Sequence, residues 1–458
     1  MAHQQLKREL RFWDSIAISI GIIIGVGIFR VPSEVAKHLS SPSLILFAWV
    51  LGGVIAYFGA LCYAELASRF PHTGGTYVFL REAYGRLVGF LFGWTEIAIL
   101  RAGSIAAVAY VFSTYLKNFI PLDAWGERIA AIATIAVLTF ININGLRQGT
   151  KLQNVLSSLK GFNLLLMALV IFWFGTKTIH PLFSWNIFSD NQSQPGSNFF
   201  LMLAPALVPI LWTYGGWHEC AFMSGEFKDT KRELPISMVI STLIVMILYL
   251  LINVAYLQVL TPREMTQEKA IASVCFMRLF GPAGSTVVTA AVLISAFGAL
   301  NSTIMTGGRI PFAVAQDFPR FKWASRVHEK FQTPDRALIV NSVWAAVLVV
   351  FGSFDQLVSF CLFAQWLFFA LAGLSIFIKK KESETERMFG YPWIPAIFVI
   401  VAFSICISII WCSPKASAIG ALIIAMGFLF YSCAGRQITA EEELKKIDRQ
   451  LVNSEGRY

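Results

Sequence analysis

Charge is what this chain of 458 residues has least of: Asp, Glu, Lys and Arg together make up 14%, against 56% apolar residues. An ordinary soluble domain carries about a quarter of its residues as charges, so that class is excluded first. Cysteine is sparse too. None of the seven forms a CxxC pair or a cluster with metal-ligand spacing, so neither a disulfide framework nor a metal site is indicated. Of six histidines only His218 falls inside an apolar run, and no paired carboxylates or nucleophile with its base stand at that depth. The chain therefore offers no enzyme site, and no cofactor is expected. No small-residue cleavage pattern follows the first apolar run, so Met1 to Arg11 reads as a basic tail rather than a removable signal. The excess of ten positive charges lies mostly in short loops, which points to membrane orientation and away from nucleic acid.

What the chain has in abundance is apolar runs long enough to cross a bilayer, which takes about 20 residues of helix. They lie at Trp13 to Val35, Pro42 to Ser68, Leu87 to Leu116, Ile129 to Ile143, Val155 to Phe174, Phe199 to Ser224, Ile236 to Leu260, Gly284 to Met305, Ala337 to Phe351, Leu357 to Ile378, Ile394 to Trp411 and Ala416 to Cys433. The expected fold is thus an all-α polytopic membrane protein of about 12 transmembrane helices. With an even count, and with Lys and Arg concentrated in alternate loops such as Arg309 to Arg336 and Lys379 to Arg387, both termini are expected in the cytoplasm. The lipid bilayer of the cell membrane is then the main surrounding.

The first and sixth runs differ from the others. One reads Gly21-Ile22-Ile23-Ile24-Gly25-Val26-Gly27-Ile28-Phe29, the other Leu211-Trp212-Thr213-Tyr214-Gly215-Gly216-Trp217-His218-Glu219. Glycine in membrane helices often serves close packing, and either run alone could be explained so. Paired five spans apart, they instead suggest discontinuous helices in two halves of an inverted repeat, with a binding site between them. An unwound turn frees N–H and C=O groups that lipid cannot satisfy but a polar ligand can. Free N–H groups at Gly25, Val26 and Gly27 would suit a carboxylate, and carbonyls of Ile23, Trp212 and Gly215 an ammonium. A small amino acid presents both groups.

These motifs, with Ala64-Glu65-Leu66 leading to Pro71 and Gly74-Gly75-Thr76-Tyr77, Trp94-Thr95-Glu96 before Arg101, Lys231-Arg232-Glu233-Leu234-Pro235, Ser295-Ala296-Phe297-Gly298-Ala299-Leu300-Asn301 before Arg309, Thr333-Pro334 and Ala364-Gln365-Trp366-Leu367-Phe368, resemble the amino acid-polyamine-organocation (APC) superfamily. Within it the chain looks most like the L-type amino acid transporter branch, over about Leu10 to Pro395. The resemblance implies a LeuT-like 5+5 inverted repeat with broken helices 1 and 6. Residues 1–12 would form the N-terminal tail, 13–378 the transport core (13–174 and 199–378 as its repeats), 394–433 two peripheral helices and 434–458 the C-terminal tail. It also implies alternating access around the central site, with Trp212 as an aromatic gate; a packing or lipid-facing tryptophan is the plainer reading.

Lys160 stands near the start of the fifth run, where it could snorkel to the membrane edge. The resemblance implies instead that it replaces a sodium ion, with Ser295 near it. Glu96 and Arg101 are five apart, poor spacing for a mutual bridge on a regular helix, so each is expected to find another partner and to act in structure or gating. His218 could couple transport to protons or sit neutral beside the break. Glu219, next to it, points about 100° away on a regular helix and reads as structural. Gln365 departs from the Asn usual in the branch, which leaves side-chain selectivity open.

The external loop from Lys117 to Arg128 lacks the cysteine by which animal members join a heavy chain, so no such disulfide-linked partner is expected, and the chain reads as a monomer or weak homodimer. The favoured function is sodium-independent exchange of neutral L-amino acids. Proton-coupled symport, cationic amino acid or polyamine transport, and an ion channel are the alternatives. A channel would show repeated filter-like segments or charged rings.

Overall fold

A computed structural model describes residues 6–175, 199–268, 270–351, 354–378 and 389–432. The basic segment at 379–387 and the C-terminal tail at 434–458 lie outside the described residues. Among the described residues the regular structure is all helical, apart from one parallel bridge between Leu10 and Phe227.

The first apolar run is two helices, α1 (Phe12–Ile23) and α2 (Gly27–His38), bent by 44°. Then come α3 (Pro42–Arg69), the short α4 (Thr76–Tyr84), and α5 (Arg86–Thr95) joined to α6 (Arg101–Leu116) through a π-helical turn at Glu96–Leu100. Helices α7 (Ala124–Ile143) and α8 (Leu146–Phe174) complete the first half. The second half begins with α9 (Phe199–Thr213), a non-helical turn and a 3₁₀ segment at Glu219–Glu226. It continues through α10 (Glu233–Val259), α11 (Pro262–Met265), α12 (Ile271–Gly307), α13 (Arg309–Asp317), α14 (Asp335–Phe351) and α15 (Phe354–Ile378). The last pair is α16 (Trp393–Cys412) and α17 (Pro414–Ser432).

Nine of these helical stretches are long and apolar enough to cross a bilayer, and the bent α1–α2 pair makes a tenth. The two other expected spans correspond to α9 and α14, which at 15 and 17 residues are shorter. The helix α4 was not expected; it starts directly after Gly75, whose φ of +49° only glycine adopts easily.

The outer surface fits a hydrocarbon environment. Large apolar side chains such as Phe140, Leu169, Ile400 and Leu429 stand exposed along the helices, and exposed tryptophans mark helix ends: Trp13 of α1, Trp173 of α8, Trp393 and Trp411 of α16. Water would not tolerate so wide an apolar face on a monomer, whereas lipid does, with tryptophan favoured at its boundaries. Inside, α1 touches α8, α10 and α12, while α9 lies against α2 and α3. Residues ahead of α1 are tied down: the Glu226 carbonyl accepts from the N–H of Glu9 and of Leu10, and the Leu10 carbonyl accepts from Lys228 N–H. Leu6 is buried against Phe312 and Ala337.

Candidate functional site

The first break is a short unwound turn. Ile24 (ψ +80°) leaves the helical region, and α2 restarts at Gly27. The N–H groups of Val26 and Gly27 find no acceptor among the described residues. That of Gly25, expected to be free, instead donates to the Ile23 carbonyl at 2.8 Å, because the chain tightens into a small turn there. The same carbonyl accepts from the Tyr249 hydroxyl at 2.6 Å, so both its lone pairs are engaged. Tyr249, on α10, was missed by the sequence reading. It also reaches the Thr213 carbonyl at 3.3 Å and so links the two breaks.

The second break follows α9. Gly215 N–H donates to the Trp212 carbonyl at 3.0 Å, and Gly216 has a φ of +116°, a conformation that favours glycine. The breaks interlock through bare glycines: a Cβ on Gly27 would stand 2.8 Å from Thr213 Oγ1, and one on Gly216 would stand 2.5 Å from Ile22 Cγ2. Neither position has room for a larger residue, which explains the small side chains where the two helices face each other.

Between the breaks lies a cavity of about 100 Å³. At about 10–15 Å³ per water on that measure it holds a handful of waters, the space of a small organic molecule. Its wall includes Ile23, Gly25, Val26, Gly27, Trp212 and Gly215, so all six proposed backbone contacts surround one space. His218, Glu219 and Gln365 line it too, with Ser104 from α6, Thr303 from α12 and Cys361 from α15, three residues that sequence reasoning did not single out. Ser104 and Cys361 are lone small polar groups on apolar helices, and Thr303 stands in the polar run Asn301-Ser302-Thr303, weak signals by themselves.

Lys160 is not near a helix end. Helix α8 begins at Leu146 rather than near Val155, which puts the lysine at mid-helix, 2% exposed, with no route to the membrane edge. Its ammonium donates to the carbonyls of Gly21 at 2.7 Å and Ile24 at 3.1 Å, both at the end of α1. Gly298 of α12 passes so close that a Cβ there would lie 2.6 Å from the lysine Cε. Ser295, from the same helix, donates to the carbonyls of Ile24 and Gly25, each at 3.2 Å. Lys160 and Ser295 thus meet at the Ile24 carbonyl.

Glu96 and Arg101 form the bridge that their spacing argued against. The π-helical turn between them bonds Arg101 N–H to the Glu96 carbonyl, an i to i+5 step that puts the two side chains on one face. Arg101 Nη2 donates to Glu96 Oε1 at 2.7 Å, and Nη1 donates to both oxygens of Glu219, at 2.8 and 2.7 Å. Thr306 of α12 adds a hydroxyl donor to Glu219 at 2.5 Å. Glu219 is therefore drawn into this buried cluster. His218 packs among Tyr63, Trp217, Phe222 and Phe369, and its Nδ1 is enclosed without a partner. Among the described residues no group of three His, Cys, Asp or Glu side chains could hold a metal ion.

An apolar helical bundle enclosing a small cavity between two broken helices is the architecture of a polytopic membrane protein with an internal binding site. A profile of the family described as amino acid permease matches residues 10–433. The b(0,+)-type amino acid transporter 1 of Mus musculus is 30% identical over 434 residues, covering 93% of this chain and 88% of that protein. The serine/threonine exchanger SteT of Bacillus subtilis (strain 168) is 30% identical over 409 residues, covering 87% and 90% respectively. The Asc-type amino acid transporter 1 of Mus musculus is 29% identical over 437 residues, covering 92% and 80%. The chain belongs to the amino acid permease family of the APC superfamily: it is an amino acid transporter, not an enzyme.

Proposed function

We propose that the chain is a sodium-independent exchanger of small neutral L-amino acids, working by alternating access with Trp212 as its gate. The observation that carries this reading is the single cavity walled by both breaks, with an ammonium, that of Lys160, fixed on the carbonyls of Gly21 and Ile24 beside it. The free N–H groups of Val26 and Gly27 begin α2, where the helix dipole favours the substrate carboxylate. The substrate ammonium meets the Trp212 and Gly215 carbonyls. Lys160 supplies the charge that a sodium ion would otherwise bring, and Ser295 steadies the carbonyls of Ile24 and Gly25 around it. The serine/threonine exchanger among the relatives supports exchange and a small substrate.

The reading includes twelve spans arranged as two inverted five-helix repeats, both termini in the cytoplasm, the cell membrane as location, and function without a heavy chain. Counterflow in proteoliposomes holding this chain alone tests it. Uptake of labelled serine or alanine should require unlabelled amino acid inside and persist when sodium is replaced by choline. Conductance without counterflow, or uptake only with sodium, would overturn the proposal. A second reading, proton-coupled symport, is favoured by one observation: His218 lines the cavity with a ring nitrogen that has no partner. Uptake driven by an inward proton gradient with no amino acid inside would select it.

A further inference from the structure

A second cavity shares no wall residue with the one between the breaks. At about 270 Å³ it is the larger of the two, with room for roughly twenty waters. Five segments meet around it: the stretch ahead of α1 with Arg8, the α3–α4 turn with His72 and Thr73, α4 with Arg81, the 3₁₀ segment with Gly225, and α13 with Phe312. Part of the space exists because Gly225 has no side chain; a Cβ there would run into the Thr73 hydroxyl. On the apolar side Leu6 is buried against Phe312, which fixes that wall.

Arg8 and Arg81 line this space, and no carboxylate does. The acids that adjoin its wall residues in sequence are already matched. Asp317 takes Arg81 Nη1 at 2.6 Å and the Tyr77 hydroxyl at 2.5 Å, and Glu82 takes Arg81 Nε and Nη2 at 3.1 and 2.8 Å. Glu9 is held by Lys7 at 2.8 Å and Arg147 at 3.2 Å, and Glu226 by Arg309 at 2.6 Å. Those bonds use three of the five N–H groups of Arg81, so two remain. Arg8 is left over entirely. Its guanidinium and the His72 ring make no hydrogen bond or ion pair among the described residues, and neither the N–H nor the hydroxyl of Thr73 finds an acceptor there.

We propose that this second cavity binds a phosphate ester, with the anionic group on Arg8, Arg81, His72 and Thr73 and the organic part against Leu6, Val78 and Phe312. Inorganic phosphate would leave the apolar wall and most of the volume unused. Donors arriving from three separate segments suit oxygens arranged tetrahedrally better than the two coplanar oxygens of a carboxylate, and arginine forks match phosphate well. An anionic phospholipid headgroup and a soluble glycerol phosphate both offer this chemistry. Bound there, the ester adds a polar tie between the stretch ahead of α1 and the α4–α13 pair, beside the apolar contact of Leu6 with Phe312.

The test is calorimetric titration of the detergent-solubilised full chain, in phosphate-free buffer, with glycerol phosphate and with dihexanoyl phosphatidylglycerol. The wild type should bind at least one of them. Equal affinity for the two identifies a soluble ester as the ligand, and tighter binding of the diacyl probe identifies a lipid headgroup; either result supports the site. Arg8→Ala removes an exposed side chain without a protein partner, so the variant should fold as the wild type does and bind roughly 10- to 100-fold more weakly, the loss expected for a hydrogen bond to a charged group. Arg8→Glu should bind more weakly still, and His72→Ala and Thr73→Val should each lose affinity by several-fold. No binding of either probe to the wild type, or an unchanged affinity in all four variants, would overturn the inference. So would a loss confined to the two Arg8 variants, because it would put the anion on the surface and outside the cavity. The readout is binding rather than uptake, so failure of amino acid exchange leaves this result standing, and the reverse holds too.

Discussion

The two breaks solve the same problem with opposite charges. At the first, the Lys160 amine is held by backbone carbonyls that the unwinding of α1 leaves without helical partners. At the second, the unwound turn runs directly into Glu219, an anion that depends on a side-chain cation carried by another helix. The first joins α1 to α8 and α12 through backbone dipoles of the broken helix. The second spans α6, α12 and the 3₁₀ segment, so it ties the broken helix to its surroundings. A cation can be dispersed over carbonyl dipoles, whereas a carboxylate in the bilayer needs strong donors, and arginine offers a rigid fork of them.

Removing the charged partner from each break tests that contrast. Arg101→Ala strands two buried carboxylates and should destabilise the protein by about 3–5 kcal/mol, seen as a large fall in the thermal midpoint of the detergent-solubilised protein. Lys160→Ala leaves carbonyls rather than ions unpaired, and its expected loss is smaller, about 1.5–3 kcal/mol, with exchange abolished. If the two variants lose equal stability, the distinction between dispersed and paired charge is wrong. If Lys160→Ala exchanges normally without sodium, the role assigned to that lysine is wrong.

Gly27→Ala drives a methyl against Thr213 and should cost about 1–3 kcal/mol. Combining it with Thr213→Ala should recover part of that loss in a double-mutant cycle, and strict additivity would mean that the two breaks do not touch as described. Smallest is Ser295→Ala, which removes one hydroxyl shared between the Ile24 and Gly25 carbonyls, for about 0.5–1.5 kcal/mol. An effect on transport larger than that of Lys160→Ala would shift the weight at the first break from the ammonium to the hydroxyl.

Much of this was legible in the chain. Long apolar runs identify helices because bilayer thickness sets their length, and the paired glycines marked both breaks. The residues of both breaks that wall the cavity stood out because unwound turns need glycine, a signal written in single residues. What escaped depended on geometry that spacing does not encode. The bridge between Glu96 and Arg101 was read as unfavourable on the assumption of a regular helix, and one π-helical turn reverses that conclusion. Glu219 was judged by the same regular helix, although the segment there is 3₁₀. Tyr249 lies on an unbroken helix, and nothing in its local sequence shows that its hydroxyl reaches both breaks. The start of α8 was placed too late because its first turns carry Arg147 and Lys151, which hide a helix from a search for apolar runs.

The stretch before α1 also has a mechanical consequence. Leu10 is fastened to the residues after Glu226, so the chain ahead of the first broken helix is joined to the chain following the second. At mid-depth the Tyr249 hydroxyl contacts both unwound turns. Two flexible rods pinned together at one end and again at their joints lose most of their independent degrees of freedom. Moving α1 apart from the Glu219–Glu226 segment would first have to break these hydrogen bonds, which couples the two discontinuous helices at that end.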